Sequence, residues 1–175
     1  LKGTYPEAFA AAGWEEMTVP VARVSLLSNS PRAENKSPEL WDTLCRLMAQ
    51  GDDVLLQTPY TICNRAMYDD LANLAGEGQL RILTNAVETG ANPILIGNDL
   101  SVVGSFNTDM RSAYLDTELM LVIESEEINA FLREESERYI ERSRLVLHDG
   151  GTVCGTRYEE AALPPVKRAL YEVLS

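Results

Sequence analysis

The sequence predicts an α/β fold in which a mixed, largely parallel sheet is flanked by helices on both faces. Short apolar runs that end in polar residues alternate with longer amphipathic stretches, which is the spacing of strand, helix, strand crossovers. The amphipathic stretches also carry their own start and stop signals. With 175 residues, 45% hydrophobic and 24% charged, the chain has a globular composition and enough apolar residues for one core. A single domain over residues 1–175 is therefore expected.

Residues 19–28, VPVARVSLLS, read as a strand, and Pro20 pushes its start toward a sheet edge because proline cannot donate to a ladder. Ser37 as N-cap and Pro38 in the first turn open a helix over residues 39–50, with Leu40, Leu44, Leu47 and Met48 on one face and Gly51 as its stop. Residues 53–60, DVLLQTPY, form a short buried strand closed by a proline turn. Asn64 caps a second helix that ends at Gly76, and residues 80–85, LRILTN, are another apolar strand with a polar end. Residues 94–104, ILIGNDLSVVG, read as a hairpin about Gly97, Asn98 and Asp99. ELMLVIES, residues 118–125, is one more buried strand, and Ser125 caps a long charged helix. Through residues 124–143 Glu and Arg alternate at helical spacing, which marks a solvated face rather than a site. A second hairpin about Asp149, Gly150 and Gly151 and an amphipathic helix over residues 164–175 complete the chain.

A net charge of −12 opposes a broad nucleic-acid surface, since phosphate binding needs clustered Lys and Arg. The longest apolar runs, such as residues 119–123, fall far short of the roughly 20 residues of a membrane helix, and no signal-peptide pattern opens the chain. Because it starts at Leu1, an anchoring or targeting segment could precede it, so localisation stays open between the cytoplasm and a membrane reached through other segments. Cys45, Cys63 and Cys154 are odd in number and share no ligand spacing, which favours buried thiols in a reducing compartment over disulfides or zinc. No metal and no cofactor are expected.

Ligands of open α/β sheets gather beyond the carboxyl ends of the strands. Those ends here read QTPY, LTN and GSFN, which makes Tyr60, Asn85, Ser105 and Asn107 the candidate binding residues. At GSFNTDMRSAYLDTE the sequence resembles the phospholipase D superfamily. That family's motif runs His-x-Lys, four residues, Asp, then Gly-Ser-x-Asn, with Asp-x-Arg-Ser and a later Glu in the cardiolipin synthase branch. The matching residues are Gly104, Ser105, Asn107, Asp109, Arg111, Ser112 and Glu118, and the resemblance spans residues 24–124 with the TPY turn included.

The resemblance implies the C-terminal half of a two-motif enzyme that hydrolyses or transfers phospholipid phosphodiesters through a phosphohistidine. It implies that Ser105 and Asn107 hold phosphoryl oxygens and that Glu118 is the catalytic carboxylate orienting a motif histidine; these three are expected to converge on one crevice, with Tyr60 and Asn85 near its rim. The implied partners are a phospholipid, the N-terminal motif half of the same enzyme or a second copy, and, for a longer protein, a membrane surface. The departures are as specific. Counting back from Gly104 puts Gly90 and Asn92 where the family has His and Lys, and Gly97 where it has Asp, with Asp99 two residues on. The one histidine, His148, has no lysine two residues later and reads as a hairpin-turn residue. Residues 86–93 stand where the family has a helix and a strand, so a segment is expected to be lacking between Pro93 and Ile94. As it stands, the chain is expected to be inactive. The alternatives are a non-catalytic relic that binds phosphate or a lipid head group without His-x-Lys, and a purely structural domain.

Overall fold

The computed structural model describes residues 18–30, 36–76, 80–84, 92–147 and 149–159. They fall in two compact units, Leu1–Glu134 and Glu135–Ser175. In the first unit the elements follow as β1 (Arg23–Asn29), α1 (Glu39–Met48), β2 (Val54–Thr58), β3 (Thr61–Ile62), α2 (Arg65–Gly76), β4 (Leu80–Thr84), β5 (Ile94–Ile96), β6 (Leu100–Gly104), β7 (Thr108–Asp109), α3 (Met110–Tyr114) and β8 (Glu118–Glu124). Helix α4 (Glu126–Ile140) begins in this unit.

The fold is α/β with a mixed sheet, as expected, but the sheet is not largely parallel. Its six strands lie in the order β1-β8-β6-β5-β2-β4, and only β2 and β4 run parallel. The other four pairings are antiparallel. The reason is connection length. Helix α2 supplies the long crossover that a parallel pair needs, whereas β5 and β6 are joined by a tight turn and the short stretch between β4 and β5 leaves no room for another helical crossover. Strand β1 lies at the sheet edge, where Pro20 had placed it.

One face of the sheet forms the core. Val54, Leu56, Ile94, Ile96, Val102, Met120 and Val122 pack there against Leu40, Trp41, Leu44 and Met48 of α1, Met67 and Leu71 of α2, and Ala113 of α3. Each such side chain contributes roughly 1.5–3 kcal/mol through burial. Strand β8 shows the cause in its period of two, with Glu118, Met120 and Val122 buried and Leu119 and Leu121 exposed. On α1 it is Trp41 that joins the buried stripe, while Leu47 is only half-buried. Ser37 is not the cap of α1. Pro38 occupies that position with no side-chain cap hydrogen bond, so Ser37 lies one residue too far out. Asn64 does cap α2, its Oδ1 accepting from the Met67 N–H at 2.9 Å.

The β5–β6 turn passes through Gly97 at φ 55°, a conformation that favours glycine. Helix α4 fastens it: Arg133 donates to the Gly97 carbonyl at 2.6 Å and pairs with Asp53 at 2.8 Å, and Asn129 donates to the Leu100 carbonyl at 2.8 Å. In the second unit β9 (Arg144–Val146) and β10 (Thr152–Cys154) form the expected antiparallel hairpin, with Gly150 at φ 82° in its turn. The helix expected over residues 164–175 lies outside the described residues, as do Asn85, Gly90 and His148.

Candidate functional site

The site is built where β6 leaves the sheet beside β8. Gly104 ends β6 because a Cβ there would collide with the Leu119 carbonyl oxygen and with Met120. That close approach sets Ser105 against the start of β8. The Ser105 N–H donates to the Leu119 carbonyl at 3.0 Å, and its Oγ accepts from the Leu119 N–H at 3.1 Å. The same hydroxyl donates to Glu118 Oε2, so both of its roles are taken. Glu118 is 5% exposed. Among the described residues Ser105 is its one side-chain partner, and no Lys or Arg pairs with it. A carboxylate so buried calls for a charge partner, which no described residue supplies.

Phe106, next along, anchors the loop in the core. Its ring stacks on Trp41 with centroids 6.0 Å apart and planes 15° from parallel, worth about 1 kcal/mol beyond burial. Trp41 is fixed in turn by donating from Nε1 to Asp70 at 2.8 Å.

Asn107 is pinned at three of its four polar groups. Its N–H donates to Ser112 Oγ at 3.2 Å, its carbonyl accepts from the Asp109 N–H at 2.8 Å, and its Oδ1 accepts from Asn92 Nδ2 at 2.9 Å. Its Nδ2 donates to no described residue. Asp-x-Arg-Ser thus has a physical division of parts. Asp109 is the N-cap of α3, accepting from the Ser112 N–H at 2.8 Å, Arg111 pairs with Asp116 on the surface at 3.3 Å, and the buried Ser112 holds Asn107.

Tyr60 stands beside this loop without bonding to it through its side chain. Strand β3 pairs in parallel with β7, and Thr58 Oγ1 accepts from the Thr108 N–H at 3.1 Å while donating to the Tyr60 carbonyl at 2.8 Å. The Tyr60 side chain itself is exposed. The structure therefore brings Ser105 directly to Glu118, sets Asn107 in the same loop, and ties the backbone of Tyr60 to it. Residues that sequence reasoning missed are Ser112 as the holder of Asn107, Asn92 as its partner rather than a mere departure, and Asn29. The order Asp-x-Arg-Ser carried a signal for the first; nothing local signalled the other two.

The Cys45 and Cys63 thiols are poor nucleophiles. Burial, followed by the charges of Asp70 and Asp42, pushes the Cys45 thiol up to about 12, and burial followed by Asp109 raises Cys63. All three cysteines are free, but they are not all buried: Cys45 and Cys63 are half-buried, and Cys154 is exposed on the hairpin of the second unit. Among the described residues no group of three or more His, Cys, Asp or Glu is gathered to hold a metal, and no helix is long and apolar enough to cross a membrane.

No family model matches the chain. It is 31% identical over 132 residues to cardiolipin synthase A of Erwinia tasmaniensis, covering 71% of this chain and 26% of that protein. With cardiolipin synthase A of Cronobacter sakazakii it shares 32% over 117 residues, 63% of this chain and 24% of the relative. The chain thus spans about a quarter of the length of the curated relatives it matches. In structure it is similar to Nuc, a phospholipase D family member from Salmonella typhimurium, with a TM-score of 0.50 at 12% identity over 76% of this chain and 100% of that one. It is also similar to phosphatidylserine synthase of Haemophilus influenzae Rd KW20, with a TM-score of 0.52 at 17% identity over 86% and 45%. At these identities the structural likeness concerns the fold.

Proposed function

We propose, from the premise that the chain belongs to the phospholipase D superfamily and is cardiolipin synthase-like, that it forms the second-motif half of an enzyme transferring or hydrolysing phospholipid phosphodiesters. The observation that carries this reading is Asn107, whose backbone and side-chain oxygen are fixed while its amide donor bonds no described residue, two residues from the Ser105–Glu118 pair. A fixed donor is what a phosphoryl oxygen gathering charge in a transition state requires. In the reaction so read, a histidine attacks phosphorus, a second histidine protonates the departing alcohol oxygen, and water or an acceptor alcohol then displaces the phosphohistidine. Both histidines come from elsewhere: from the N-terminal motif half or a second copy, and from a segment between Pro93 and Ile94. Glu118 supplies the negative charge that orients one of them and favours its cationic form. Tyr60, and Asn85 by sequence position, border the head group, and a membrane surface is the source of substrate.

A second reading is favoured by one observation. Asn92, at the position of the family's lysine, closes on Asn107 Oδ1 and fills the place a cationic side chain would take. On that reading the chain is a non-catalytic relic that binds a phosphate or head group.

The test is the natural protein on labelled phosphatidylglycerol, with its intact mass. The expected result is a mass above that of this 175-residue chain, together with turnover that Asn107→Ala lowers by about 10²-fold. The 175-residue chain alone should show no turnover. A natural mass equal to that of this chain, with no turnover, would overturn the enzyme reading in favour of the relic.

A further inference from the structure

Helix α3 spans five residues, so its carbonyls have almost no helical partners of their own. The Asn29 side chain meets them. Its Nδ2 donates to the Ser112 carbonyl at 3.1 Å and reaches those of Ala113 and Asp116 at 3.4 Å each. Asn29 is 5% exposed, so no water replaces that donor, and losing it would leave buried carbonyls unpaired. The other end of α3 is held by Asp109, and Ser112, in the middle, presents Oγ to the Asn107 N–H.

We infer that Asn29, the last residue of edge strand β1, is a positioning residue for Asn107, acting through α3 and Ser112. It lies outside the motif in sequence, and in the β1–β8 register it stands opposite Glu118. Asn29 thus joins the start of β8, paired with it across the sheet, to the helix that sets Asn107. Asn107 is placed by the sheet edge as well as by its own loop. The functional meaning rests on the proposed reading of Asn107 as a phosphoryl donor; the positioning itself does not.

The experiment is ¹⁵N NMR on the 175-residue chain, comparing Asn29→Ala with Leu27→Ala, a change on the same strand whose side chain packs against the core. Asn29→Ala should shift the Asn107 N–H resonance and speed its exchange with solvent about tenfold, the factor one hydrogen bond supplies. Leu27→Ala should lower global stability and leave that resonance in place. An unmoved Asn107 N–H in Asn29→Ala, or an equal movement in Leu27→Ala, would overturn the inference. If Asn29→Ala does not fold, the wild type decides: the N–H groups of Asn107 and Ser112 must exchange at a common rate, and separate rates refute their coupling through α3. Titration with inorganic phosphate then addresses the functional reading. Binding that weakens about tenfold in Asn29→Ala, and not in Leu27→Ala, supports both. A wild type that binds no phosphate sinks the phosphoryl reading, while the resonances still settle the positioning.

Discussion

Ser105 and Asn107 stand two residues apart in one loop, yet the fold treats them in opposite ways. The Ser105 hydroxyl is occupied on both sides, accepting from Leu119 and donating to Glu118. Asn107 has its acceptors engaged, and its amide donor bonds no described residue. Among the described residues, one side of the loop is therefore a buried carboxylate with no cation beside it, and the other is an amide donor with no acceptor. On the proposed reading, a cationic histidine brought up with a phosphodiester would answer both needs at once. The contrast also separates the two residues energetically: Ser105 must give up its bond to Glu118 before it can donate to a phosphoryl oxygen, and Asn107 gives up nothing.

The largest effect on that contrast should come from Gly104→Ala. A methyl group there meets the Leu119 carbonyl, a backbone atom that can move only if β6 and β8 part. The expected loss of stability is about 3 kcal/mol in urea unfolding, the upper range for overpacking. Because Leu119 and Glu118 are neighbours, the Ser105–Glu118 bond should fail with it, while the Asn107 N–H stays bound to Ser112. A loss under about 1 kcal/mol would show that the strands have slack at this point.

Glu118→Gln should act with the opposite sign. The amide oxygen can still accept from Ser105, and the buried charge that no described residue offsets is gone, so stability should rise by about 1 kcal/mol. A fall of the same size would mean that a cation of this chain already balances Glu118. On the proposed function, the same change in the natural protein should abolish turnover, since an amide cannot favour a cationic histidine.

What could be read from the sequence divides along the same line of local against distant. The Asn64 cap and the Gly97 turn depend on neighbours in the chain, and each was legible, whereas β8 was read as a buried strand and in fact alternates, with Leu119 and Leu121 exposed. Strand direction was not legible either. Periodicity gives a strand but not its sense, and the antiparallel return of β5 against β2 follows from how little chain separates it from β4. In the candidate site, the motif residues were singled out by their order, whereas the partners that hold Asn107 and α3 from a distance were not. Asn29 and Ser112 meet from 83 positions apart, and Asn92 and Asn107 from 15. An asparagine that closes a strand looks like the start of any polar loop.

The smallest effect, and the one that best separates the two functional readings, should come from Asn92→Ala. The lost hydrogen bond is half-buried, so the cost in stability is about 1 kcal/mol or less. The backbone of Asn107 remains held by Ser112 and Asp109, and only the terminal torsion of its side chain is released. That torsion is roughly two-fold, so the freed amide presents its oxygen outward about half the time. Affinity for inorganic phosphate should then fall by only about twofold, if Asn92 does no more than aim the donor. A loss of about tenfold or more would mean that Asn92 contacts the anion itself. In that case the asparagine at the lysine position would be a ligand in its own right, and the relic that binds without turning over would become the better account of this chain.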